Sequence, residues 1–263
     1  MLFYNPILRL LSGANCTKPN YRKHYVVNGF GILLPMVMLW SSAVYGIQVF
    51  ARTGSGLSSL ALPLLLVTTM TMSFVGFVDD LLGTRLIGGF RGHFSQLRFG
   101  IITTGTLKAM VGFALSVTIA AFVSNNIIDY LINSGVLLLS INAVNLFDLR
   151  PGRAIKVFTI SAVATFLASL TSTFWAYWGL IIPPVAGLLW GDIKEQSMMG
   201  DVGANALGAI LGLTFVINLS QTVNLIILGF LVVLHVVSER YSISTFIEKT
   251  PIIKQLDELG MKR

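Results

Sequence analysis

Residues 57–78 read LSSLALPLLLVTTMTMSFVGFV and run directly into Asp79-Asp80-Leu81-Leu82-Gly83. An uncharged apolar run of that length can cross the hydrocarbon core of a bilayer as a helix, which takes about 20 residues. It then stops on two carboxylates. The same alternation of apolar run and polar stop recurs along the chain. Further runs lie at 26–50, 99–122, 127–147, 155–170, 174–190, 205–219 and 223–237. The shorter ones are expected to extend into their flanking turns. The predicted fold is therefore all-α, a polytopic transmembrane bundle of about eight full spans in a single domain, 1–263. A short N-terminal segment, 1–24, precedes the spans, and a tail, 238–263, follows them.

Composition agrees. Of 263 residues, 54% are hydrophobic and 11% charged, against about 25% charged in an ordinary soluble domain. The net charge of +7 is not read as nucleic-acid binding, because the basic residues sit in short loops between apolar runs. That is a topology signal. Cys16 is the only cysteine, which excludes an internal disulfide framework. His24, His93 and His235 have no metal-ligand spacing. Residues 1–13, interrupted by Pro6 and Arg9, are too short to span and do not read as a cleaved signal peptide. They are expected to lie at the interface.

The connections alternate in character. Those at 51–56, 124–126, 171–173 and 220–222 are short and nearly neutral. The N-terminal stretch to His24, the loops 79–98, 148–156 and 191–204, and the tail from Ser238 are charged. Sixteen of the eighteen Lys and Arg fall in the charged set, with Arg52 opposite and Lys108 inside a run. The positive-inside rule makes that face, and the C-terminus, cytoplasmic in a cell membrane. Ten of the eleven carboxylates share the face, Asp129 being the exception. The rule says little about acidic residues. Short external turns without room for charge account for part of the asymmetry, and a reaction carried out at the charged face is the alternative.

Three segments could carry such chemistry. Asp79 and Asp80 are adjacent like charges, so one is expected to find a cation or a proton. A hard ion such as Mg²⁺ suits them, the second carboxylate remaining free as base or acceptor. In Asn142-Ala143-Val144-Asn145-Leu146-Phe147-Asp148 the polar residues are three apart, hence on one slowly drifting helix face. They serve either as interhelical glue or as part of a substrate path. Arg150-Pro151-Gly152-Arg153 follows, a basic turn opening the next helix and a plausible anion site. In Met199-Gly200-Asp201-Val202-Gly203-Ala204-Asn205 glycines flank a carboxylate at a helix start, which favours phosphate. Gly208 and Gly212 are expected to permit close helix packing. Lys108 inside an apolar run needs an anion or a route to the interface. Carboxylates, bases and an apolar surround together suggest phosphoryl chemistry between a soluble nucleotide and a lipid phosphate.

At these residues the sequence resembles the polyprenyl-phosphate N-acetylhexosamine-1-phosphate transferases, the superfamily of the phospho-N-acetylmuramoyl-pentapeptide and N-acetylglucosamine-1-phosphate transferases. Pro19-Asn20-Tyr21 with Gly29-Phe30-Gly31 is similar to its first cytoplasmic motif, and Asp79 to Gly83 to its aspartate-rich motif. Thr103-Thr104-Gly105 with Lys108 resembles the next helix. Asn142 to Asp148 and Gly200-Asp201-Val202-Gly203 resemble the last two signatures, so the likeness runs from about residue 15 to 240 in family order.

The resemblance implies transfer of a sugar-1-phosphate from a UDP-activated amino sugar to polyprenyl (undecaprenyl) phosphate. The products would be the polyprenyl-diphosphate-sugar that starts a cell-envelope polymer, and UMP, with Mg²⁺ as cofactor. Asp79, Asp80 and Asp201 would be catalytic, Asp201 and Asp80 metal ligands, and Asp79 the base or stabiliser for the attacking lipid phosphate. Asn142, Asn145, Asp148, Arg150, Arg153, Met198 and Gly200 would hold nucleotide and diphosphate, and Lys108 and Thr104 the lipid phosphate. A homodimer is compatible with such a bundle.

The chain also departs from the pattern. Where many relatives place Gly and a second Asp after Asp148, it has Leu149-Arg150-Pro151. Met198 stands where relatives often carry a Phe, and the histidine-rich last loop is replaced by His235, Glu239, Arg240 and Tyr241. Two alternatives follow: a relative that binds polyprenyl phosphate or nucleotide without turnover, and a lipid or solute transporter. The second is disfavoured by the lack of paired broken helices or an internal repeat.

Overall fold

The structure, a computed structural model, describes residues 2–54, 59–83, 100–170 and 172–260. The sequence reading of 84–99, with His93 and three arginines assigned to the charged face, lies outside the described residues. Part of the 51–56 turn, Thr171 and the last three residues lie outside them as well.

Each expected span falls on one helix. After α1 (Tyr4–Gly13) come α2 (Leu33–Thr53), α3 (Ala61–Leu82), α4 (Thr104–Val123) and α5 (Ile127–Leu146). Then follow α6 (Arg153–Ala168), α7 (Trp178–Ile193), α8 (Gly200–Asn218) and α9 (Gln221–Ser238). Two short helices, α10 (Ile243–Lys249) and α11 (Pro251–Glu258), form the tail. Among the described residues seven helical stretches are long and apolar enough to cross a membrane. The eighth expected span, α6, is helical but only 16 residues long. The chain is a multi-pass membrane protein.

Local chemistry sets several ends. The Thr103 hydroxyl accepts the Thr106 N–H at the start of α4, and the Asn126 side chain accepts that of Asp129 at the start of α5. Two of the starts that differ from the sequence expectation shape the site. The first span begins late, because Thr17–Pro19 (β1) and Tyr25–Val27 (β2) form an antiparallel hairpin, followed by a 3₁₀ turn, Phe30–Ile32. Tyr25, Val26 and Val27 are β-formers, and an apolar β-run this short cannot be told from a helix start by hydropathy. The seventh span begins early, taking Asp201 into its first turn.

That seventh span, α8, is the axis of the bundle. Fully 83% of its span is buried, against 17% for peripheral α9. It packs chiefly on α3 and α5. Small residues allow this: a Cβ at Gly208 would run into the backbone carbonyls of Ser140 and Ile141 on α5. The close-packing role expected of this glycine is what the structure has. Large apolar side chains such as Trp40, Phe74, Phe113, Ile160 and Phe230 stay exposed on the outer helices, as a lipid-facing belt requires.

Candidate active site

The hairpin and the start of α8 are stitched together by backbone. The Met198 N–H donates to the Val27 carbonyl (2.7 Å), and the Phe30 and Gly31 N–H groups donate to the Met198 and Met199 carbonyls (3.1 and 2.9 Å). The first and last sequence motifs thus meet. Gly200 is needed at this junction for two reasons. Its φ is +67°, and a Cβ there would collide with the Asp80 carboxylate.

Asp80 closes the junction. One of its oxygens accepts from Asn28 Nδ2 (2.8 Å) and Lys18 Nζ (3.3 Å), and the other from the Val202 N–H (3.2 Å). A carboxylate from α3 therefore caps α8, whose own preceding residue, Met199, gives no side-chain cap. Asp79, one residue earlier, points elsewhere. Its carboxyl meets those of neither Asp80 nor Asp148 but that of Asp201, and Thr104 hydrogen-bonds to it. Lys108 Nζ stands between the pair, 2.7 Å from Asp201 Oδ2 and 3.5 Å from Asp79 Oδ2. Two carboxyls in contact need a proton or a cation between them, and one ammonium supplies part of that charge. The structure thus brings Asp79 against Asp201, while both oxygens of Asp80 are taken by the protein.

This cluster lines a cavity of about 1140 Å³. Of the sequence-predicted site residues, Asp79, Asp80, Thr104, Lys108, Asn142, Asp148, Arg150, Met198, Gly200 and Asp201 all line it. Asn145 and Arg153 do not. Asn145 belongs to the last turn of α5, where its carbonyl accepts the Asp148 N–H. Arg153 is 3% exposed and makes a two-pronged pair with Asp257 of α11, both contacts 2.7 Å. It also donates to Ser244. Arg150 stays at the rim, paired with Glu248 (2.6 Å) and lying over the Tyr21 ring. The basic turn is thus bound to the tail in this structure.

Sequence reasoning missed Lys18, Asp192 and Glu195, all on the cavity wall. Asp192 is 6% exposed and accepts the Gly152 N–H at 2.6 Å. Its signal was a lone acid ending the apolar run of α7. Facing it, burial pushes the Asp148 carboxyl well above the ordinary carboxylate range, and the charges of Asp192, Asp201 and Asp80 push the same way.

Among the described residues no three His, Cys, Asp or Glu side chains form a ready metal cage. The donors present are the hard carboxylate oxygens of Asp79 and Asp201. That set fits Mg²⁺, which is commonly held by one or two carboxylates together with substrate phosphates and water.

The protein is thus a multi-pass helical bundle with a carboxylate–ammonium cluster on the wall of a large, partly apolar cavity. No protein-family model matches the chain. Curated relatives do. A phospho-N-acetylmuramoyl-pentapeptide-transferase of Borrelia garinii subsp. bavariensis is 27% identical over 75% of this chain and 66% of its own length. The Acetivibrio thermocellus protein of that name is 25% identical over 88% and 74%, and that of Kosmotoga olearia is 32% identical over 51% and 44%. The chain spans just under two thirds of the length of the Borrelia relative. Its likeness to these proteins runs over most of the chain and supports a relationship with the superfamily of polyprenyl-phosphate hexosamine-1-phosphate transferases.

Proposed function

We propose that this protein transfers a sugar-1-phosphate from a UDP-N-acetylhexosamine to polyprenyl phosphate at the cytoplasmic face of the cell membrane. An oxygen of the lipid phosphate bonds to the sugar-bearing phosphorus of the donor. The bridging P–O bond breaks and UMP leaves, so the product is a polyprenyl-diphosphate-sugar. The observation that carries this reading is the Lys108–Asp201–Asp79 cluster on the wall of the cavity.

Such a reaction needs positioning and charge neutralisation more than covalent help from the protein. Asp201 and Asp79 would hold Mg²⁺, which when bound neutralises diphosphate oxygens and makes the phosphorus easier to attack. Lys108 adds a fixed positive charge where the two anionic substrates must approach one another. Thr104 and Asp79 orient the lipid phosphate. Asp80 acts at one remove by fixing the start of α8 and hence Asp201. Asn142, Asp148 and Arg150 line the part of the cavity suited to the nucleotide.

A second reading, binding without turnover, is favoured by one feature. Pro151 stands where relatives carry a carboxylate, and Arg153 beside it is bound to Asp257. One assay separates the two: purified protein, UDP-N-acetylhexosamines, polyprenyl phosphate and Mg²⁺, with UMP release measured and a chelator control. Chelator-sensitive UMP release is expected. Retained binding of polyprenyl phosphate with no UMP from any donor would establish the second reading instead.

A further inference from the structure

Asn205 stands one helical turn beyond Asp201 on α8 and is fully buried. Neither its amide nitrogen nor its carbonyl oxygen has a hydrogen-bond partner. Among the described residues it is the only side chain with two such unpartnered atoms. It lines the same cavity as the carboxylate cluster. The cavity also has apolar wall, from residues such as Ala109, Gly112, Leu138 and Ile141. Of the other carboxamides on the cavity wall, Asn20 and Asn28 donate to Glu195 and Asp80, and Asn142 is only half-buried. A fully buried amide left unpaired is strongly unfavourable, and its retention beside an active site points to a ligand that completes it.

We propose that Asn205 is the specificity residue for the acetamido group of the donor sugar, an inference that rests on the transferase reading. An acetamido group offers one N–H donor and one carbonyl acceptor on a planar frame. The two lie on opposite edges of the trans amide, so one of them can pair with Asn205, its carbonyl with Nδ2 or its N–H with Oδ1, and the acetamido group reaches further from the ring than a hydroxyl at the same carbon. The position fits as well. In a 2-acetamido sugar phosphate the amide sits on the carbon next to the one bearing phosphate. Asn205 lies about 6 Å along the helix axis from Asp201, four residues at 1.5 Å each. A phosphate held at Asp201 therefore leaves the neighbouring acetamido group level with Asn205.

The test compares UDP-N-acetylglucosamine with UDP-glucose, by calorimetric binding in Mg²⁺ and by UMP release with polyprenyl phosphate, in wild type, Asn205→Leu and Asn205→Met. Wild type is expected to favour the acetamido donor by at least about tenfold, well within the roughly 10⁴–10⁵ that a site built to hydrogen-bond a substrate group can reach. The apolar variants are expected to bring the two donors to near parity, chiefly by losing the acetamido donor. If wild type releases UMP from both donors equally, or if both variants keep the wild-type ratio, Asn205 pairs with water only and the inference is overturned while the transferase reading stands. If wild type neither binds nor turns over either nucleotide, both fall together.

Discussion

The carboxylate of Asp80 on α3 accepts the backbone N–H of Val202 in the first turn of α8, joining residues 122 positions apart. Through that bond the tandem aspartates divide their work. Asp80 builds the junction, and Asp79 faces the cavity beside Asp201. Asp80→Ala should leave the Val202 N–H and the Asn28 amide unpaired at a buried site. A lost cap costs about 1 kcal/mol and an unsatisfied buried donor about 1–3 kcal/mol. The thermal midpoint in detergent is expected to fall by several degrees, with Asp80→Asn recovering part of the loss. An unchanged midpoint in Asp80→Ala would refute the structural role.

Lys108 occupies the position between two carboxyls that a divalent cation would share. Removing its charge by Lys108→Met should strengthen Mg²⁺ binding, read as a larger Mg²⁺-induced rise in thermal midpoint. UMP release should fall by at least about a hundredfold, the usual scale for losing one electrostatic stabiliser. Asp201→Asn should abolish the Mg²⁺-induced rise. A Mg²⁺ response that survives in Asp201→Asn would remove that residue from the metal site.

The Arg153–Asp257 pair is nearly free of solvent, with side chains 3% and 9% exposed. Breaking one side of such a pair strands a buried charge and typically costs about 3–5 kcal/mol. Asp257→Leu should therefore release the tail from the α6 start, making it a target for limited proteolysis after residue 240. Arg153→Met combined with Asp257→Leu should restore stability relative to either single change. Additive losses in the double variant would show that the two residues are not coupled.

Asp148 sets a pH dependence. Its proton is bound more tightly in the folded protein than in the unfolded chain, because of burial first and then the charges of Asp192, Asp201 and Asp80. Between the ordinary carboxylate range and the raised folded value, folding takes up a proton, so stability falls as pH rises through that window. Asp148→Asn removes the penalty. With chelator present, the variant should be more stable than wild type at about pH 8, and the difference should vanish near pH 4. Equal thermal midpoints at both pH values would contradict the raised value.

The helices were legible because lipid demands long apolar runs with internally satisfied backbones, and no other pattern meets that demand. The central role of Gly208 was legible from small-residue spacing. The strand at Tyr25–Val27 was not. Three apolar β-formers ahead of a span read as part of it, and only the chain that pairs with them reveals a strand. Helical periodicity likewise grouped Asn142, Asn145 and Asp148 on one drifting face, yet the cavity takes the first and third.

By itself the sequence determined that this is a membrane bundle whose acidic groups collect at one end, in motifs whose order matches one superfamily. Those properties are local: run length, charge and residue order act within a few turns of helix. Only the tertiary structure decided which aspartate of a tandem pair meets Asp201, that Arg153 is held by the tail, and that Asn205 lies unpaired against the cavity. Each of these depends on how one helix is rotated against another that is distant in sequence. That rotation is set by the sum of many packing contacts, so it exists nowhere in the chain until the helices have packed.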